Sequence, residues 1–230
     1  MRQTSRSRQG SRLYCLLFTL VSTVVFATEP ISAQRPAILV HGAATYYSLN
    51  GKLQDVGITN TAFKWGYHAG VGIDVQVGET AIMDTFLQPH LVYVCKGFSA
   101  DFDDLGISGS GITDIHTLEV PFLFNLRFNV AAPVYFYTNA GPYIGMGLVS
   151  RQRLKRPLEG KQVVSGEKVD LFSVEKGFKR LELGLQIGAG MEFHGIMLGL
   201  GYQFGLLNQS RVPRQVFRSQ GGIIEVGYRF

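Results

Sequence analysis

Two histidines offer this chain its most direct chemistry. His68 and His90 fall on the same predicted face of neighbouring strands, and a hairpin turn centred near Glu79 would bring them together. Imidazoles ligate zinc and related ions, but a site needs a third protein ligand, and Asp74 is the only nearby candidate by sequence. The expectation is therefore a pair of hydrogen-bonded histidines, with no metal and no cofactor. No GxSxG, HExxH or phosphate-loop pattern occurs, and the Ser, His and acidic residues are scattered. No catalytic residue is assigned and no enzyme is expected.

Ten charged residues suggest a different chemistry, ion pairing inside a closed wall. Lys64, Lys96, Arg127, Arg180 and Arg229 lie on the polar faces of alternating segments, as do Asp74, Glu119, Glu182, Glu192 and Glu225. Buried charges without partners are costly, so these ten are expected to neutralise one another as a structural network. A charge-lined ion path is the functional alternative.

The segments that carry them alternate with a period of two, the mark of strands. In 181–193, Leu181, Leu183, Leu185, Ile187, Ala189, Met191 and Phe193 oppose Glu182, Gly184, Gln186, Gly188, Gly190 and Glu192. His194-Gly195 makes a tight turn, and 196–206 alternates again. The chain ends on a further case, with Ile224, Val226, Tyr228 and Phe230 against Glu225, Gly227 and Arg229. Similar faces occur in 63–77, 86–96, 118–128 and 133–149, and a less regular first strand covers 38–47. The count is eight, an even number, as closure of a single-chain bacterial barrel prefers.

At the N-terminus, Arg2, Arg6, Arg8 and Arg12 precede an apolar run from Leu13 to Phe26, with Ala27 or Ala33 as the small residue at a cleavage point. Residues 1–33 are read as a signal peptide and 34–230 as the barrel domain; the apolar run is too short for a membrane anchor helix. Cys15 lacks the small residues that precede a lipoprotein cysteine. Loss of four arginines and one glutamate lowers the net charge from +5 to +2, which removes the compositional case for nucleic-acid binding. Cys95 is then the only cysteine, so no intramolecular disulfide is expected.

Connections at about 78–84, 129–132 and 194–195 are short, whereas those at about 48–62, 98–113, 150–178 and 208–219 are long and polar. This alternation fits short periplasmic turns and longer surface loops, with both termini periplasmic. A soluble ligand-carrying barrel would turn the same faces the other way. The uncharged apolar face and the Gly-rich polar face, with few bulky groups, favour the membrane. An eight-stranded antiparallel up-and-down transmembrane β-barrel, all-β, is the expected fold. Among the loops, Asp101, Asp103, Asp104 and Asp114 form an acidic group. Arg151, Arg153, Lys155 and Arg156, with Arg211, Arg214 and Arg218, form basic ones. Arg151, Arg153 and Arg156 are candidate contacts for lipopolysaccharide phosphates, and the oppositely charged loops are candidate surfaces for a protein partner.

FLQPHLVYVCKGF, LEVPFLFNLRF, VYFYTNAGPYIGMGL, LELGLQIGAGMEF and the terminal EVGYRF, in that order, resemble the PorT-like outer-membrane β-barrel family of Bacteroidetes-type bacteria. The resemblance covers most of residues 37–230. It implies an outer-membrane location and assembly by the machinery that recognises a terminal aromatic strand, with Phe230 as the signal. One member, PorT, is tied to type IX protein secretion, while most of the family has no assigned activity. A side chain-filled structural or partner-binding barrel is the expected function, with a secretion component and a narrow channel as alternatives.

Overall fold

In a computed structural model of the chain, the residues described are 36–52, 58–104, 107–158, 161–169, 172, 178–211 and 216–230. For 50–52, 58–61, 100–104, 107–110, 152–158 and 161–169 the description covers the backbone alone. The signal segment 1–33 lies outside these residues. Nine strands follow one another: β1 (Ala37–Lys52), β2 (Ile58–Glu79), β3 (Met83–Asp104), β4 (Ile107–Ala131), β5 (Val134–Leu158), β6 (Lys161–Val169), β7 (Leu181–Phe193), β8 (Ile196–Gly205) and β9 (Val216–Arg229).

Eight of them form a ring in which every pairing is antiparallel. β1 to β5 pair in sequence, β5 pairs β7, β7 to β9 continue, and β9 returns to β1 from Leu39↔Arg229 to Lys52↔Val216. Closure satisfies the backbone groups that an open sheet edge would leave bare in lipid. The ninth strand, β6, was not expected. Among the described residues it pairs only with the far half of β5, beyond the point where β5 leaves β7.

The wall is turned inside out relative to a soluble domain. Along β1, Ile38, Val40 and Tyr46 are exposed while Leu39, Thr45 and Tyr47 are buried. On β7 and β8 the leucines point outward, with Leu200 66% exposed, whereas Glu119 on β4 is fully buried and Glu182 on β7 nearly so. An apolar exterior around a polar, charged interior suits a wall between lipid and a filled lumen and rules out the ligand-carrier orientation. Two aromatic belts border this exterior. Tyr46 stacks on Phe63 and lies tilted against Trp65, with ring centroids 4.9 Å apart in both pairs, and Tyr67 and Tyr93 continue the belt. At the other end Tyr228 packs on Phe230 and Phe193 on His194. From Ile38 to Tyr46 the wall rises about 20 Å at ordinary strand rise and tilt.

The short connections lie at 80–82, 132–133 and 194–195. His194 and Gly195 both have positive φ, 49° and 81°, the two-residue geometry that matches the twist of paired strands. Phe230 closes this end by donating its N–H to the Ile38 carbonyl at 2.9 Å. The long connections differ from expectation. Much of 48–62, 98–113 and 150–169 is strand, with β3 and β4 paired to Asp104↔Ile107 and β5 continuing to Leu158. Above the lipid both sides of a hairpin face water, so its sequence loses the two-faced pattern that marks a strand in the membrane.

Candidate functional site

Glycines on the inner faces of β7, β8 and β9 leave room in the lumen that longer side chains fill, Tyr143 over Gly184, Tyr137 over Gly190 and Gly199, and Tyr47 over Gly221. Four layers stack along it. Nearest the short turns, Arg229 Nε lies 2.9 Å from Asp74 Oδ2 and Arg127 Nη2 lies 2.9 Å from Glu192 Oε1. Glu192 also faces Arg229 at 3.6 Å. Gln88 donates to Asp74 and accepts from Asn125 Nδ2. The guanidinium groups lie over aromatic faces, Arg127 on Tyr135 and Arg229 on Phe86, which retains some of the solvation lost on burial.

The second layer holds the histidines. Register sets His68 opposite Val94 and His90 opposite Gly72, so the two are not cross-strand neighbours. His41 of β1 stands between them, its ring centroid 5.2 Å from His68 and 5.0 Å from His90, both edge-on. His41 Nε2 lies 3.1 Å from His90 Nδ1. Glu225 of β9 reaches the group from the other side of β1. Ala43 pairs with both His68 and Glu225, and its small side chain lets them meet across it. Gly70 and Gly72 leave room for the rings, since a Cβ at Gly70 would come within 2.9 Å of His41 Nε2 and one at Gly72 within 2.5 Å of His90 Nδ1.

The third layer is an ion triad. Lys96 Nζ lies 2.7 Å from Glu119 Oε1 and 2.6 Å from Glu182 Oε2, and all three side chains are almost fully buried. Glu182 Oε1 accepts hydrogen bonds from Tyr143, at 2.8 Å, and from Ser219. Glu119 accepts from Thr117 at 3.2 Å and from Gln203 Nε2 at 3.1 Å, and Gln203 in turn accepts from Tyr47. These bonds occupy the lone pairs that burial would otherwise strand. The last layer is apolar: Leu49, Phe98, Ile115, Phe172, Phe178 and Phe217 cluster at the end opposite the short turns.

Of the ten charged residues named from sequence, Lys96, Glu119 and Glu182 thus meet in one layer and Asp74, Glu192, Arg127 and Arg229 in another. Lys64 pairs instead with Asp114, a residue assigned from sequence to a loop but placed on β4. Arg180 donates to the carbonyls of Gly147 and Leu148 at 3.1 and 2.9 Å and lies over Phe172. Glu225 is held by histidines. Asp74, the candidate third ligand beside His68 and His90, pairs instead with Arg229 and Gln88, as a member of the charge network. Arg151 is exposed, and the side chains of Arg153 and Arg156 lie outside the described residues. Sequence reasoning missed His41, Tyr47, Tyr143, Gln203 and Ser219. His41 shares its parity with Thr45 and Tyr47 in the least regular strand, and that parity was the available signal.

Residues 32–210, well over half of the chain, match the family described as "Outer membrane protein beta-barrel domain". The chain belongs to that family. As an outer-membrane β-barrel protein it sits in a bilayer that contains lipopolysaccharide. Among solved structures it is similar to Neisserial surface protein A (NspA), at 11% identity over 86% of this chain and all of that one, with a TM-score of 0.41. The attachment invasion locus protein Ail of Yersinia pestis matches at 10% identity over 86% of this chain and all of that one, TM-score 0.38. OprG from Pseudomonas aeruginosa matches at 14% over 85% of this chain and 95% of that one, TM-score 0.42. At these values the likenesses carry no functional argument. No curated protein sequence matches the chain.

Proposed function

We propose that this outer-membrane barrel is a closed scaffold that stabilises the envelope or presents its surface hairpins to a partner protein, and that it is not a solute pore. One observation carries this reading: four layers of side chains, two of them ion-paired, fill the lumen from the Arg127–Glu192 pair to the Phe178–Phe217 contact. An eight-stranded ring encloses little more than its own side chains. Reconstitution in a planar bilayer tests it: the expected trace shows no conductance steps, and a reproducible open level would establish the narrow channel instead.

The strand extensions β3–β4 and β5–β6 lie at the end away from the short turns, which supports a periplasmic position for both termini and an external one for the hairpins. Cleavage after Ala33 would leave three residues before β1 begins at Ala37, and Phe230, exposed beside Tyr228, is suited to recognition by the barrel-assembly machinery. Membership of a type IX-like secretion assembly rests on the PorT resemblance, and recovery of translocon subunits with the tagged barrel is its test. Contact of Arg151, Arg153 and Arg156 with lipopolysaccharide predicts weaker lipid retention when all three are neutralised; unchanged retention rejects it.

A further inference from the structure

We infer that His41, His68 and Glu225 form a binding site for one divalent transition-metal ion of the zinc class inside the lumen, with His90 orienting His41. Three atoms converge: His41 Nδ1 lies 3.3 Å from His68 Nε2 and 3.1 Å from Glu225 Oε2, and His68 Nε2 lies 3.2 Å from the same oxygen. A tetrahedral ion with bonds of 2.0–2.1 Å has ligand atoms about 3.3 Å apart. The triangle therefore matches one face of that tetrahedron on all three edges.

Protons can satisfy two edges of this triangle, since Glu225 Oε2 can accept an N–H from each ring at 3.1 and 3.2 Å. The third edge, His41 Nδ1 to His68 Nε2 at 3.3 Å, then sets two donors side by side. A cation bound to all three atoms uses all three edges. The charge balance points the same way. Arg127 and Arg229 match Asp74 and Glu192, while Lys96 faces both Glu119 and Glu182. Among the described residues the partners of Glu225 are histidines, which are cationic only when protonated. With both imidazoles neutral, a bound cation supplies the positive charge that Glu225 otherwise lacks.

The surroundings complete a metal site. With His41 Nδ1 on the ion, its Nε2 carries the proton and donates to His90 Nδ1 at 3.1 Å, the outer contact that fixes the tautomer of a metal-bound imidazole. The ligands share a cavity with Gln88, Asn139, Gln186 and Met197, large enough for a water as fourth ligand. Two buried atoms there, His90 Nε2 and Asn139 Oδ1, have no hydrogen-bond partner.

The test uses the full-length protein extracted from outer membranes in detergent, stripped with a chelator, loaded with Zn²⁺ and desalted. One zinc per chain is expected, and Co²⁺ in its place should give the intense visible absorption of a four-coordinate ion. Competition with a chromophoric chelator should show binding weakened at least about 100-fold in Glu225→Gln and His68→Gln, and about 10- to 100-fold in His90→Gln. Asp74→Asn, whose partners are Arg229 and Gln88, should bind as the wild type does. Boiling-dependent mobility on a gel shows which variants keep the barrel. Sub-stoichiometric zinc in the folded wild type, a pale six-coordinate cobalt spectrum, or wild-type affinity in folded Glu225→Gln overturns the inference.

Discussion

Replacing Lys96 with methionine removes a cation and keeps most of the side chain's bulk, so its effect is electrostatic. At an effective dielectric of about 20, each of the contacts to Glu119 and Glu182 corresponds to about 6 kcal/mol of attraction. Burying three charges costs several kcal/mol for each, so the intact triad contributes little net stability. Lys96→Met leaves the costs of Glu119 and Glu182 and removes the attraction, and breaking a buried pair in this way typically costs about 3–5 kcal/mol. With an m-value of about 2 kcal/mol per molar urea, the unfolding midpoint should fall by about 2 M. Trp65, the only tryptophan, is 61% exposed on the outer face, and its emission reports loss of the lipid contact as the barrel unfolds in vesicles. Replacing Lys96, Glu119 and Glu182 together by glutamine should recover most of the loss, because no charge is then left unpaired. A midpoint within about 0.5 M of wild type for Lys96→Met, or a triple variant weaker than the single one, would refute the assignment of the triad as a coupled unit.

Other expectations address the remaining layers and the wall. Leu200→Arg, on the lipid face, should destabilise the inserted barrel by about 2–4 kcal/mol by the same urea assay, whereas a soluble barrel would tolerate it. Phe178→Ala removes the ring that meets both Phe98 and Phe217; it should cost about 3 kcal/mol without opening a conductance, because the triad still closes the lumen beneath. Removal of Phe230 should reduce the fraction of heat-modifiable barrel in the outer-membrane fraction, with the shortened chain accumulating in the periplasm.

The alternation of 181–193, 196–206 and 221–230 was legible because each strand separates two environments, and lipid on one side and lumen on the other sort side chains by parity. The same reasoning fails above the membrane, where water covers both faces, and so β6 and the ends of β3, β4 and β5 read as loops. Parity placed Lys96, Glu119 and Glu182 inside, but not with one another. Which inner residues meet depends on register and on closure, and a shift of one pair moves every contact. The hairpin turn is a case in point: with its centre at 80–82, His90 faces Gly72, and Asp74 is left to Arg229. His41 and Glu225 lie near opposite ends of the chain, and only the pairing of the first strand with the last unites them.

That pairing gives the histidine cluster a place in the order of assembly. Hairpins β2–β3 and β8–β9 are local and can form before the wall is complete, yet neither holds the whole group: His68 and His90 belong to the first, Glu225 to the second, and His41 to the strand that joins them. Contacts between distant parts of a chain come at the greatest entropic cost and tend to come last. The imidazole resonances of His41 are therefore a clock for the final step, since they sense Glu225 only once the seam has shut.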